Sequence, residues 1–438
     1  MKTAVATYRQ WLSGASMPRI GRAQAARELR TWSLLGLGLA VTEAGVVAVV
    51  VKNVFAGALD AAWLNQAVAF AAATPALANL TSFLWADVGA GRAKVTTICV
   101  LLSAASLSLV AIALVPLNGF GVAAFIAGIF VSRVFWTGAL TLRSAVWRAN
   151  YPPAVRASFT AKAALLSALA MALSSAVCGV ALEYSVDAFR YVYPLTGAAI
   201  VLSALSYRRV RVRRHRQLLA AETAERRYGR PGLRGAYSLL MTDTDYRRYM
   251  TWMFLFGSGN LMLVGQLVLI LAEQLDASRL SQMLITSAVP LAVIPLSIPY
   301  WALYFDRVHI TEFRAVQGWC FAAAAVAYLA GAVSGILPVL FIGAVALGTG
   351  LAGGLLGWHL GHNAFATDGR ATDYMALHVT LTGLRGVAAP IIGVGFYQLL
   401  ELKMPGSGVY ALVLPLVLSS GGTLGFVRMA GDRRSAGS

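Results

Sequence analysis

The chain has 438 residues, 58% of them hydrophobic and only 12% charged, with a formal net charge of +18. Soluble globular proteins carry charge at roughly a quarter of their positions, so this composition excludes a water-soluble enzyme or binding module of this length. The 36 cations are five Lys and 31 Arg, a bias that suggests a GC-rich bacterial genome.

Residues 1–30 read as a basic cytoplasmic arm with Arg9, Arg19, Arg22, Arg27 and Arg30. They lack a short apolar core followed by a small-residue cleavage site, so no cleavable signal is expected. From Thr31 onward, apolar stretches of about 20 residues recur, the length a helix needs to cross a bilayer core. Twelve spans are predicted, at about 31–55, 62–85, 95–115, 119–141, 160–182, 190–207, 249–272, 281–304, 315–335, 338–361, 374–400 and 408–428. Segments such as Val95 to Val115 are apolar all round, as a lipid-embedded helix is. The predicted fold class is all-α: a polytopic membrane protein with twelve transmembrane helices in two six-helix halves, 31–207 and 249–428.

Cations fix the expected orientation, because cytoplasmic connections accumulate Lys and Arg. The arm, the 2–3 connection with Arg92 and Lys94, the 4–5 connection with Arg143, Arg148 and Arg156, and the tail 429–438 with Arg433 and Arg434 fall on one side. The central loop 208–248 joins them with twelve arginines. Only Lys52, Arg190, Arg279 and Lys403 lie on the other side. Both termini and the central loop are therefore expected in the cytoplasm, the protein being multi-pass in a bacterial cytoplasmic (inner) membrane. The arginine run suits topology and contact with anionic lipid heads better than nucleic acid, and no nucleic-acid partner is expected.

Traces of repetition appear in the corresponding connections FLWADVGAGRAK, Phe83 to Lys94, and WALYFDRVHITEFR, Trp301 to Arg314. Each places an aspartate where an aromatic-rich helix leaves the membrane, and Asp87 and Asp306 are 219 positions apart, half the chain length. Twelve spans in two halves, a basic central loop and an acid followed by glycine and basic residues after span 2 resemble the major facilitator superfamily of secondary transporters. Of that superfamily's G-x-x-x-D-R-x-G-R-K signature the first connection keeps Asp87, Arg92 and Lys94; Phe83 and Val88 replace the first glycine and the arginine, and Gly91 comes one position late. The second copy keeps Asp306 and Arg307 and loses the glycines. The resemblance implies cytoplasmic gating by Asp87, Arg92, Asp306 and Arg307. RANYPPAVRASF, Arg148 to Phe159, and DYMALHVTLTGLRGVAAP, Asp373 to Pro390, look like a bacterial subfamily within it whose cargo the resemblance does not supply.

Charges inside spans are the candidate functional groups, since an ionised side chain at mid-bilayer costs roughly 2.5–3.5 kcal/mol on insertion scales. Glu43 lies about twelve residues into span 1, within LAVTEAGVVAVV. Burial favours the protonated carboxyl and a nearby cation the ionised one, which makes Glu43 the proton-coupling candidate; a substrate cation or a structural ion pair also fits. Arg385, in LTGLRGVAAP of span 11, and Arg133, in span 4, stay charged and must be paired, hydrated or in contact with an anion. Glu43 and the cargo are both candidate partners for Arg385.

In the superfamily, spans 1, 4, 7 and 10 line the central cavity, which adds Asn260 and Gln266 of span 7 and His359 of span 10 as cavity candidates. Asn260 and Gln266 point in different directions, and interhelical hydrogen bonding is the alternative for each. His359 and His362 share a face, but no further ligand is near in sequence, so no metal and no other cofactor is expected; His378 is similarly placed in span 11. Cys99, Cys178 and Cys320 are solitary in apolar segments and suit packing rather than disulfides. Gly348 to Asn363, rich in glycine, suits close helix packing. Pro290, Pro295 and Pro299 should kink span 8. Gly386, Pro390 and Gly393 resemble in part the glycine-proline element of span 5 in the superfamily's antiporters.

These features predict a monomeric secondary transporter that moves a small molecule by alternating access, with proton-coupled export favoured. Two alternatives stand beside it: an importer of an organic anion clamped by Arg385 and Arg133, and a non-transporting receptor or assembly factor using the basic central loop.

Overall fold

The computed structural model describes residues 19–217, 219–220, 239–366 and 371–437. Among them, twelve helices are long and apolar enough to cross a membrane. Span 1 is Gln24–Val54, span 2 Ala61–Trp85, span 3 Lys94–Ile112, span 4 Gly119–Asn150, span 5 Lys162–Tyr184 and span 6 Val186–Tyr207. Span 7 is Thr244–Gln274, span 8 Arg279–Phe305, span 9 Ile310–Ser334, span 10 Leu337–Leu360, span 11 Leu377–Lys403 and span 12 Ser407–Ser435. Each helix satisfies its own backbone polar groups within lipid.

The packing repeats with a period of six spans. Span 1 packs on spans 5 and 6, span 3 on spans 4 and 6, and span 2 on span 4; span 7 packs on spans 11 and 12, span 9 on spans 10 and 12, and span 8 on span 10. Contacts between the halves obey the same rule: span 2 meets span 11, span 5 meets span 8, and span 1 meets span 7. Interchanging the halves leaves this neighbour set unchanged, the property of a pseudo-two-fold arrangement.

Small residues let these helices approach. A Cβ on Gly36 of span 1 would lie 2.6 Å from the Ser167 carbonyl oxygen of span 5, and one on Gly259 of span 7 would lie 2.7 Å from the Pro415 carbonyl oxygen of span 12. Leu107, Leu114, Phe120 and Leu195 are instead largely exposed. That much apolar surface is a liability in water and ordinary against lipid.

Two irregularities interrupt regular helix. Span 1 is two helices, Arg19–Ala40 and Ala44–Val54, where a continuous span was expected. Spans 7 and 8 each contain a π-helical turn, Ile270–Gln274 and Leu284–Ala288. The second leads directly into Val289–Phe305, which carries the expected Pro295 and Pro299 within it. The face where spans 1 and 7 begin and spans 6 and 12 end carries the arginine-rich connections; it is called the basic face below.

Candidate functional site

The break in span 1 falls at Val41, Thr42 and Glu43. An interrupted helix leaves carbonyls without their usual amide partners, and side chains from other spans supply donors here. Tyr193 of span 6 donates its hydroxyl to the Val41 carbonyl at 3.1 Å. Arg133 of span 4 donates Nε to the Thr42 carbonyl at 2.9 Å and Nη2 to Glu43 Oε1 at 2.6 Å. The same guanidinium thus closes the break and neutralises the acid beside it. Its side chain is 9% exposed, against 30% for Glu43. A hydrogen bond to a charged group contributes about 1.5–3 kcal/mol, so this pair holds the break together firmly while leaving the carboxylate reachable by water.

Of the two partners considered for Arg385, Glu43 or the cargo, Glu43 is taken by Arg133. Arg385, buried at 4% exposure, sits in the other half, where Nη1 donates to the Met253 carbonyl of span 7 and Nη2 to Thr382 Oγ1 at 3.2 Å. Its guanidinium lies against Gly257, where any side chain would strike it. Arg133 and Arg385 are each anchored within their own half, so they do not stand as the two jaws of one empty clamp.

The remaining sequence candidates divide. Gln266 is fully buried and donates Nε2 to the Gly393 carbonyl at 3.0 Å and the Ala411 carbonyl at 3.1 Å. It ties span 7 to spans 11 and 12, the interhelical role, instead of facing a cavity. Asn260 is half-buried. His359 is exposed at the end of span 10, its ring 4.7 Å edge-on from Trp358. On the basic face Asp87 is exposed near the end of the helix Ser82–Gly89 and Arg92 is exposed after it, while Lys94 is buried and donates to the Gly89 carbonyl at 2.5 Å. Asp306 and Arg307 are exposed where span 8 ends. Of the loop 208–248, residues 218 and 221–238 lie outside the described residues.

Sequence reasoning missed two groups. Glu28, assigned to the arm 1–30, is fully buried in the first helix of span 1. It accepts from Trp147 Nε1 at 2.6 Å, Tyr151 hydroxyl at 3.0 Å and Asn150 Nδ2 at 3.4 Å. Arg143 stacks between the rings of Trp32 and Trp147, 4.2 and 4.0 Å from their centroids. The signal available was the span itself, since Trp32 and Leu35 continue a helical stripe back through Glu28.

The second group is a polar seam where the halves meet on the face opposite the basic one. Lys52 of span 1 pairs with Glu273 of span 7 and donates to Asn65 Oδ1 at 2.8 Å. Tyr397 donates to Glu273 Oε2 at 2.6 Å. Asn53 donates to Gln282 Oε1 at 2.8 Å and Gln66 to Gln398 Oε1 at 2.6 Å. Arg279 donates to the Leu182 carbonyl at 3.1 Å, and the Leu280 amide to Glu183 at 3.1 Å. Each of these last four bonds crosses from one half to the other, as does the Lys52–Glu273 pair, so this face is sealed by hydrogen bonding in the state described.

No family model matches the chain, and no curated protein matches it in sequence. Solved structures do match in fold. A D-xylose–proton symporter superposes with a TM-score of 0.72 at 12% identity, over 92% of this chain and 96% of that one. A mutant of the nucleoside transporter NupG gives 0.70 at 10% identity, over 92% and 99%. A bacterial homologue of the human lysosomal transporter Spinster, inward-facing and occupied, gives 0.65 at 14% identity, over 95% and 98%. These are transporters of the major facilitator fold, and the chain has that fold across more than nine-tenths of its length.

Proposed function

We propose that this protein is a secondary active transporter that moves a small solute across a bacterial cytoplasmic membrane by alternating access, coupled to protons, with export as its direction. Its termini and central loop lie in the cytoplasm in this reading, and it works as a monomer. The observation that carries it is the Arg133–Glu43 pair at the break in span 1. A carboxylate that is partly exposed and held by a single cation has two stable conditions: ionised and paired, or protonated and released. Protonation frees Arg133 from the acid while the Thr42 carbonyl keeps it in place, which changes the charge presented by spans 1 and 4. A proton that binds the two arrangements of the halves with different affinity couples to cargo that does the same.

The polar seam supports the conformational half of the proposal. It seals one face by hydrogen bonds that must break together for the halves to rock apart there, so the described state is open, in this reading, toward the basic face. Support for export comes from Gly386 and Gly393, parts of the antiporter-like element of span 11. Gly386 lies against Ala76 of span 2, across the interface between halves.

The deciding experiment is flux in proteoliposomes of both orientations, with a cargo found by thermal-shift screening of metabolites and drugs, since a cargo stabilises the folded state it binds. Flux that ignores an imposed pH gradient removes the coupling, and uptake into right-side-out vesicles reverses the direction. An importer of organic anions is the second reading. Deletion of most of residues 214–234 with flux left intact would count against the receptor alternative.

A further inference from the structure

The C-terminal half buries two arginines and sets no described acid beside either. Arg314 of span 9 is 1% exposed. Its Nη1 donates to Gln317 Oε1 at 2.8 Å, and its Nε and Nη2 have no partner among the described residues. Arg385 likewise keeps a buried Nε without a partner. His378 stands on span 11 two helical turns before Arg385, on the same face of the helix. His378 is 1% exposed with neither ring nitrogen partnered, and the buried hydroxyl of Tyr249 on span 7 is also unpartnered.

Glycines bring these groups together. A side chain at Gly357 of span 10 would strike the Arg314 guanidinium, one at Gly257 of span 7 would strike that of Arg385, and one at Gly361 would meet the Tyr249 hydroxyl. Gly357 and Gly361 are one helical turn apart, hence on one side of the end of span 10. Met253, whose carbonyl binds Arg385, is one turn beyond Tyr249 on span 7. The unpartnered groups therefore lie against bare backbone of span 7 and of the end of span 10.

The described acids of this half are engaged elsewhere. Asp243 binds the Tyr246 amide and the Tyr374 hydroxyl, and Glu273 binds Lys52 and Tyr397. Glu312 pairs with Arg434, Asp432 with Arg248, and Glu401 accepts from Gln274 and the Gly406 and Gly408 amides. Asp245, Asp276 and Asp306 are exposed. The side chains of Asp368 and Asp373 lie outside the described residues. Arginine does not lose its proton in proteins, and a buried charge is stable only when paired.

We propose that Arg314 and Arg385, with His378, hold the oxyanion group of the carried solute, a carboxylate or phosphate. This rests on the transport reading above, and it names the substrate class. The unpartnered guanidinium nitrogens and the Tyr249 hydroxyl are donors, and His378 adds at least one more N–H, so the missing partner is an acceptor. Two fixed positive charges select an anion over a neutral hydroxyl compound. The planar fork of each guanidinium matches carboxylate and phosphate oxygens.

The test is a thermal-unfolding titration of the purified full-length protein in chloride-free buffer at fixed ionic strength, with inorganic phosphate, with succinate, and with glucose as uncharged control. At least one anion should give a saturable rise in midpoint that glucose does not. Arg314→Gln and Arg385→Gln should each weaken it by at least about tenfold, and Arg428→Gln, at an exposed position of span 12, should not. Arg314→Lys and Arg385→Lys keep the buried charge and lose the fork, so intermediate affinities are expected even where a Gln variant fails to fold. No saturable response to either anion, or equal responses in the wild type and all four variants, overturns the site. Phosphatidylglycerol nanodiscs that abolish the response assign the site to a lipid headgroup and overturn the solute. Counterflow in proteoliposomes loaded with the binding anion separates the two readings. Binding without counterflow keeps the site and sinks carriage; counterflow undiminished in the Gln variants keeps carriage and sinks the site.

Discussion

Arg133 meets Glu43 at 2.6 Å where span 1 breaks, and the same guanidinium takes the Thr42 carbonyl freed by that break. The charge pair and the backbone irregularity are therefore one structure, and perturbing either side of it has separable consequences.

Glu43→Gln keeps an acceptor for Arg133 and removes the titrating group. In proteoliposomes this variant should lose at least about nine-tenths of the flux driven by a pH gradient while retaining solute exchange, a loss consistent with removing a coupling group worth over 1.4 kcal/mol. Pulling away the partner is more damaging. Arg133→Ala leaves the Thr42 carbonyl without its donor and should lower the thermal midpoint as well. Unchanged pH dependence in the Gln variant would take Glu43 out of the coupling role.

The Lys52–Glu273 pair predicts a trap. Lys52→Cys combined with Glu273→Cys, bridged by a short reducible bis-methanethiosulfonate cross-linker, should hold the face opposite the basic one shut and stop turnover, with recovery on reduction. Cys99 and Cys178 are buried, and the half-buried Cys320 is replaced by Ser so that it does not compete. Turnover that continues at full rate with the cross-link verified by mass would show that this face need not open.

Glu28 predicts a stability effect far from any cargo. Glu28→Ala strands the Trp147, Tyr151 and Asn150 donors in a buried site, and each such loss costs about 1–3 kcal/mol. The thermal midpoint in detergent should fall clearly, and Glu28→Gln should fall less because its amide oxygen still accepts. Equal midpoints for Glu28→Ala and wild type would mean that water replaces the carboxylate.

His309 predicts the acid side of the stability profile. Its Nδ1 caps span 9, accepting from the Thr311 amide at 3.3 Å. Burial and then the Arg433 charge push its pKa below the usual 6.5. The unfolded chain thus binds this proton at higher pH than the folded one. Stability from His309 is complete above about pH 6.5 and is lost as pH falls through the folded value. His309→Asn keeps a capping acceptor that does not titrate, so its midpoint should fall less than that of wild type between about pH 6.5 and 4. Parallel curves would clear His309 of the effect.

Much of the architecture was legible because a bilayer imposes local rules. The run of apolar residues that made span 3 or span 10 visible depends on the length of a membrane crossing, which a linear chain displays directly. The correspondence of Asp87 with Asp306 was a trace of the same repeat that appears in space as spans 1, 5 and 6 packing like spans 7, 11 and 12. The break at Thr42 and Glu43 was not legible, because valine and alanine on either side continue a helical pattern, and what stabilises the break is donated by Tyr193 and Arg133 from two other spans. Gln266 looked like a cavity residue for the same reason: its chemistry is written in the sequence, but its rotation toward the Gly393 and Ala411 carbonyls is not.

The sequence by itself determined the class, the twelve crossings, the two halves and the charges that needed partners, since each follows from composition or from spacing along one helix. The tertiary structure decided the partners. Glu43 found Arg133 at a separation of 90 residues, Lys52 found Glu273 across the halves, and Arg314 and Arg385 were left with donors to spare. Such pairings depend on which helices adjoin and how each is turned about its axis, and those are set by glycine contacts and cross-span hydrogen bonds distributed over the whole chain.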